Sequence, residues 1–160
     1  MFKIKIAIFP GKFDPINNGQ LDIIKKASSL FDKLIVLVIK DPVKKPLFTT
    51  ETRLRYIKSA TLNFSNVEVD FWPKFLNEYI SLSGACVLIR GLKNNSNITC
   101  ELNYKIFNES LNESIQTVFL MPNPKNMYIN SDIVKKLCLL KKNLSSVVPK
   151  LIEKEIKDEV

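Results

Sequence analysis

The chain has 160 residues, 46% of them hydrophobic and 25% charged, with a formal net charge of +8. That length suits one domain, 1–160, with enough apolar content to bury a core, and no run reaches the roughly 18 to 20 apolar residues of a membrane span. The absence of histidine, with three cysteines (Cys86, Cys100, Cys138) that share no C-x-x-C spacing, argues against a zinc site.

The cysteines read as small buried residues in apolar surroundings. The surplus charge sits on lysines spread along the chain, without the basic stripe and interleaved aromatics of a nucleic-acid binder. It reads either as drift in an AT-rich genome or as a field that attracts an anionic substrate. Neither nucleic acid nor membrane is expected as a partner. The N-terminal residues alternate like a strand and show no small-residue cleavage site, so the expected location is the cytoplasm.

The first strand is predicted over 4–9, ended sharply by Pro10-Gly11. A helix follows over 19–30, with Gly19 near its start. Glycine permits close backbone approach, and free N–H groups at a helix start suit a phosphate; a purely structural strand-to-helix turn has the same pattern. The run Leu34-Ile35-Val36-Leu37-Val38-Ile39 predicts a strand over 34–39 buried on both faces. The loop after it carries Lys44, which reads as a solvated lysine or as a phosphate cation. Thr49 is the expected N-cap of a helix over 50–62, with Glu51 in its first turn. A strand at 67–71, a helix at 74–82 and a strand at 86–89 come next. Val69, Phe71 and Trp72 lie near a strand end with few evident partners, which points to contact between copies of the chain.

Arg90 sits between a buried strand and Gly91, where it suits an ion pair or a bidentate grip on phosphate. The polar stretch Lys93-Asn94-Asn95-Ser96-Asn97 is expected to be a mobile loop before a helix over 98–111. A strand at 117–120 and helices at 131–140 and 149–157 complete the series, with Pro149 suited to the first turn of the last helix. The alternation predicts an α/β fold: a Rossmann-like, doubly wound, five-stranded parallel sheet of order 3-2-1-4-5 with helices on both faces. In such sheets ligands bind beyond the carboxyl ends of the strands, where strand order reverses.

Four ordered blocks carry a resemblance. The stretch from Phe9 to Gln20 resembles the P-G-S/T-F-D-P-x-T-x-G-H signature of the phosphopantetheine adenylyltransferase family, with Pro10, Gly11, Phe13, Asp14, Pro15 and Gly19 in register. The run Asp41-Pro42-Val43-Lys44-Lys45-Pro46-Leu47-Phe48-Thr49 resembles the family's basic substrate loop. Leu88-Ile89-Arg90-Gly91-Leu92-Lys93 resembles its I-R-G-L-R strand end. Phe119-Leu120-Met121-Pro122, followed by the stretch from Tyr128 to Lys135, resembles its last strand and serine-rich nucleotide loop.

The resemblance implies adenylyl transfer from ATP to 4'-phosphopantetheine in coenzyme A biosynthesis, giving dephospho-CoA and pyrophosphate, with Mg2+ as cofactor and a homohexamer as assembly. It implies Lys12, Lys44, Leu76 and Arg90 as substrate-binding residues, with Lys44 and Arg90 on the phosphate and Leu76 along the pantetheine arm. It implies ATP contacts from Phe13, Gln20, Gly91, Leu92, Lys93 and Glu101, and from Asn126, Met127, Tyr128, Ile129, Asn130, Ser131 and Asp132; Asn108 also matches. The candidates for catalysis are Gln20 and Lys12, and both depart from the family. Gln20 stands where the family has histidine, and a glutamine amide donates a neutral hydrogen bond where an imidazolium also donates charge. Lys12 stands where the family has Ser or Thr; it either supplies a replacement cation or fills the place of a small hydroxyl. Asn17 replaces a threonine, Lys93 an arginine, Cys100 an aromatic residue, and Asn130-Ser131-Asp132 a run of serines. Two other readings stay open: a non-catalytic relative that binds a nucleotide or coenzyme A, and a nucleotidyltransferase acting on another phosphorylated acceptor.

Overall fold

The apolar runs form the strands of one sheet. The computed structural model describes residues 4–93 and 95–160. The elements are β1 (Ile6–Gly11), α1 (Asn18–Leu30), β2 (Lys33–Ile39), α2 (Thr50–Ala60), β3 (Val67–Trp72), α3 (Leu76–Ser83), β4 (Val87–Gly91), α4 (Asn95–Leu111), β5 (Gln116–Leu120), α5 (Ser131–Leu139) and α6 (Lys150–Glu159). A short 3₁₀ turn, Pro124–Asn126, lies between β5 and α5. The five strands are parallel in the order β3-β2-β1-β4-β5, as the alternation predicts.

Side chains alternate across the sheet with a period of two. Ala7, Phe9, Leu34, Val36 and Val38 point to one face, where Ile23, Ile24, Ile57, Val134 and Ile152 of four helices cover them. Ile8, Ile35, Leu37 and Leu88 point to the other, against Ile80 of α3 and Ile115. Leu34, Val36, Leu37 and Val38 are all fully buried, and each such side chain stabilises the fold by roughly 1.5–3 kcal/mol. That is why β2 reads as a continuous apolar run.

Strand order reverses between β1 and β4, and there the ladder is short. Ala7 and Ile8 pair with Val87 and Leu88, and the two strands then part. On the other side β1 stays paired with β2 up to Gly11 opposite Val38. Pro10 therefore does not stop the strand, contrary to the expected sharp end at Phe9. Its missing N–H costs nothing where the β4 side of the ladder has already opened. Gly11 is needed because Phe13, at φ 46°, folds its ring beneath it: a Cβ on Gly11 would lie 2.9 Å from the Phe13 ring.

Other boundaries shift for local reasons. Residues 1–3 of the N-terminal alternation and Asn94 of the expected mobile loop lie outside the described residues. The rest of that loop differs from expectation, since α4 already starts at Asn95. The Asn97 side chain turns back to accept from Lys93 N and donate to Gly91 O, both at 3.4 Å, so the polar run closes on β4. Thr49 caps α2 as expected, accepting from Thr52 N at 3.2 Å. Pro149 precedes the first turn of α6 as its N-cap. Cys138 is buried, but Cys100 is exposed, because it lies on the outer side of α4. Val69, Phe71 and Trp72 do have partners. The first two pack on the main core, while Trp72 stacks edgewise on Tyr79 at 5.4 Å and donates its indole N–H to Phe75 O.

Candidate active site

Beyond the carboxyl ends of the strands lie two cavities. The larger, about 570 Å3, opens where β1 and β4 part. Pro10, Gly11, Lys12 and Gln20 line one wall, Arg90, Gly91, Lys93, Glu101 and Tyr104 the other, and Met127, Tyr128, Asn130, Ser131 and Asp132 a third. The smaller, about 400 Å3, lies over β2 and β3 and is lined by Lys12, Asp14, Lys40, Asp41, Lys44, Arg53 and Lys135, among others. Lys12 lines both. Lysines spread along the sequence thus gather in space around one cavity.

The cleft is built from the β4 end outward. Arg90 Nε and Nη2 donate to the two oxygens of Glu101, at 2.6 and 3.1 Å. The guanidinium also lies 5.1 Å from the centre of the Tyr104 ring, so carboxylate and aromatic face together fix its orientation. Gly91 allows β4 to press on α1: a Cβ there would stand 2.6 Å from Cδ1 of Ile23, itself fully packed. Lys93 is partly buried, and burial lowers the pKa of its ammonium group. It donates to Ile129 O at 2.7 Å and so ties the loop before α5 to β4. Asp22 holds the same loop from below, accepting from Asn123 N, Asn123 Nδ2 and Asn126 Nδ2 at 2.8–3.0 Å.

Gln20 closes a capping box on α1. Its N–H donates to Asn17 Oδ1 at 3.0 Å, and its Oε1 accepts from Asn17 N at 3.1 Å. With the oxygen engaged, the side-chain NH2 is the group left for a ligand in the cleft. The N-terminus of α1 offers an anion less than the motif suggests. Asn18 N already donates to Val147 O and Gln20 N to Asn17. The corresponding start of α5 is capped by Asn130, whose Oδ1 accepts from Ile133 N at 2.8 Å.

The smaller cavity is built around Asp14. Its carboxylate is 2% exposed, accepts the N–H groups of Leu47 and Phe48 at 2.7 and 2.9 Å, and pairs with Lys135 at 2.7 Å. It thereby anchors the basic loop to the first motif. Arg53 donates to Lys12 O, Thr49 O and Thr50 Oγ1, and burial lowers its pKa. Lys12 pairs with Asp41, and this contact holds the Asp41 carboxyl at about 2. Asp41 Oδ1 also accepts from Val43 N and Lys44 N, at 2.9 and 3.3 Å.

Sequence comparison adds the decisive observation. The pattern of the cytidylyltransferase-like family matches residues 8–137. A phosphopantetheine adenylyltransferase of Caldanaerobacter subterraneus subsp. tengcongensis is 38% identical over 98% of this chain and 98% of its own. One from Alkaliphilus metalliredigens is 40% identical over 93% and 95%. The chain belongs to the phosphopantetheine adenylyltransferase family. A provisionally named nicotinate-nucleotide adenylyltransferase from Vibrio parahaemolyticus has the same fold, with TM-score 0.67 at 16% identity over 98% of this chain and 96% of its own.

Within this phosphopantetheine adenylyltransferase relative the candidate residues divide. Lys12, Gln20, Arg90, Gly91, Lys93, Glu101, Met127, Tyr128, Asn130, Ser131 and Asp132 come together around the cleft. Lys44 lines the other cavity, so Lys44 and Arg90 are not brought into one. Phe13 and Ile129 are fully buried, backbone included, and line neither cavity, contrary to the ATP contacts expected of them. Phe13 packs edge-on against Phe9 at 5.5 Å. Asn126 turns onto Asp22, Leu92 donates its N–H to Leu120 O, and Leu76 packs on the α3-side core. Asn108 is buried and donates to Tyr104 O. Sequence reasoning missed Tyr104, Lys40, Asp41, Arg53 and Lys135. Tyr104 lies three residues beyond Glu101 on one helix face, a spacing that could have shown it. Lys40 and Asp41 sit in the same stretch as Lys44, while Arg53 and Lys135 join them only through folding.

Among the described residues no group of three or more His, Cys, Asp or Glu could hold a metal ion by itself. The donor set fits magnesium only as an ion carried by phosphate oxygens and shared with one carboxylate. No described helix is long and apolar enough to cross a membrane.

Proposed function

We propose that the chain transfers the adenylyl group of ATP to 4'-phosphopantetheine, forming dephospho-CoA and pyrophosphate in coenzyme A biosynthesis. One observation carries this reading: near full-length identity of 38–40% with relatives named for that activity. An oxygen of the acceptor phosphate attacks the α-phosphorus, the bond to the bridging oxygen of the β-phosphate breaks, and pyrophosphate leaves. The attacking phosphate is already anionic, so the protein's task is in-line placement and charge stabilisation.

In this reading Arg90, oriented by Glu101 and Tyr104, holds the acceptor phosphate in the cleft, and Lys44, on its anchored loop in the adjoining cavity, adds its positive field from the Lys12 side. The NH2 group of Gln20 donates to the α-phosphate. The loop from Asn126 to Asp132, tied down by Lys93 and Asp22, holds the nucleotide. Leu76 lies along the pantetheine arm. Asp132, exposed at the start of α5, would be the carboxylate that shares magnesium with the polyphosphate. The ion would offset charge on the leaving group. A cytoplasmic location and a homohexamer belong to the same proposal.

The test is pyrophosphate release with ATP and 4'-phosphopantetheine, beside a calorimetric titration of each. Release that requires both substrates supports the reading. Binding of ATP without release would favour a nucleotide-binding relative, consistent with the neutral amide at Gln20.

A further inference from the structure

Three cations line the cleft: Lys12, Arg90 and Lys93. Two of them are held within it. Arg90 is gripped by Glu101, and the Lys93 ammonium is engaged by Ile129 O. Lys12 differs. Its main chain is fixed, since its carbonyl accepts from Arg53 Nη1 at 2.8 Å. Its side chain is 48% exposed and reaches away from the cleft to Asp41, which lines only the neighbouring cavity.

Asp41 divides its carboxylate between two tasks. Oδ1 takes the N–H groups of Val43 and Lys44 and turns the loop, while Oδ2 takes the Lys12 ammonium. The surroundings of that ammonium are otherwise unfavourable. Apart from the pair itself, the smaller cavity presents four cations, Lys40, Lys44, Arg53 and Lys135, against one carboxylate, Asp14. Lys12 aside, the cleft presents two cations, Arg90 and Lys93, against two carboxylates, Glu101 and Asp132. Without the charge of Asp41, the field drives Lys12 towards the cleft. A polyphosphate entering the cleft pulls the same way.

We infer that Asp41 is a positioning residue that parks Lys12 outside the cleft, and that Lys12 crosses to the nucleotide phosphates when ATP binds, supplying the cation that Gln20 lacks. This rests on the adenylyltransferase reading of the cleft. ATP then competes with Asp41 for Lys12, and the parked pair weakens nucleotide affinity.

The experiment is a double-mutant cycle read by calorimetric titration of ATP into the full chain, with Asp41→Asn, Lys12→Thr and both together. Asparagine keeps the side-chain oxygen that turns the loop but cannot hold an ammonium by charge. The expected result is a two- to fivefold tightening of ATP binding in Asp41→Asn, about what a partly exposed ion pair is worth. The KM for ATP should fall with kcat nearly unchanged. In the Lys12→Thr background Asp41→Asn should have no effect. Equal effects in both backgrounds, or unchanged or weaker ATP binding in Asp41→Asn, would overturn the inference and leave Asp41 as a loop former. Asp41→Ser, whose hydroxyl caps the same turn, repeats the test should the asparagine variant fold poorly. No ATP binding to the parent chain would instead sink the adenylyltransferase reading, and the inference with it.

Discussion

Gln20 accepts the Asn17 N–H through its own amide oxygen and offers a phosphate only the neutral N–H donors of the same amide. The two roles separate on substitution. Gln20→His restores a charged donor at the α-phosphate and should raise kcat, by at most the roughly 10²–10³ that one preorganised donor is worth. KM should change little, because the gain appears where charge develops. The same change removes half of the capping box and should cost about 0.5–1 kcal/mol of stability. Pyrophosphate release and a thermal melt on one preparation read both; a variant with unchanged kcat would show that the amide is not near the reacting phosphate. Asp41 offers a second residue-level test. The Lys12 ammonium, then the Val43 N–H, lower its carboxyl from 3.8 to about 2. A carboxylate depressed in the folded state adds stability that is complete above its unfolded value and is lost as pH falls through the folded one. The pair should therefore hold throughout neutral and mildly acidic solution and open between about pH 4 and pH 2. NMR titration of the Asp41 carboxyl should move back towards 3.8 in Lys12→Thr, and a midpoint that stays near 2 would assign the shift to the loop N–H groups alone.

At the scale of elements, the basic loop after β2 is held by a residue of the loop after β1. Asp14 receives two loop N–H groups and the Lys135 ammonium while almost wholly buried. Removing one partner of a buried pair leaves the rest uncompensated, which typically costs about 3–5 kcal/mol. Asp14→Ala should lose stability of that order in urea unfolding, and the KM for the acceptor should rise as the Lys44 loop loosens. A loss below about 1 kcal/mol would show that solvent replaces the carboxylate. Sequence reading identified this aspartate by its motif and could not assign its work, because its partners lie 33, 34 and 121 residues away. Element ends slipped for a related reason. Pro10 reads as a strand stop, yet whether a proline ends a strand depends on which side of the ladder is still paired. Periodicity within β2 and the Thr49 cap were legible because both are written in neighbouring residues.

For the whole molecule, the strand order and the position of the cleft follow from alternation and connection rules, so they could be read before any side chain was placed. The division of the site into two cavities could not, because Lys12, the loop that carries Lys40 and Lys44, Arg53 and Lys135 meet only through the fold. Surface contacts were also misread. Val69, Phe71 and Trp72 pack against the core, and α4 carries a stripe of exposed apolar residues instead. Ile98, Leu102 and Ile106 are 37%, 44% and 65% exposed, and their spacing of four puts them on one stripe of the helix. Beside it, Phe107 stacks edgewise on Phe75 at 5.8 Å while both remain about half exposed. A contiguous apolar surface of this kind is unfavourable in water and is usually covered by another chain. The arrangement favours a homo-oligomer with α4 at a contact between copies, in keeping with the hexamer proposed above. Light scattering at micromolar concentration should give a multiple of the 18.3 kDa chain mass. Ile106→Glu places a charge on the most exposed residue of the stripe, away from the cleft, and should reduce the mass without loss of helix content. A parent chain that runs as a monomer would remove the proposal. An oligomer that Ile106→Glu leaves intact would move the contact off α4.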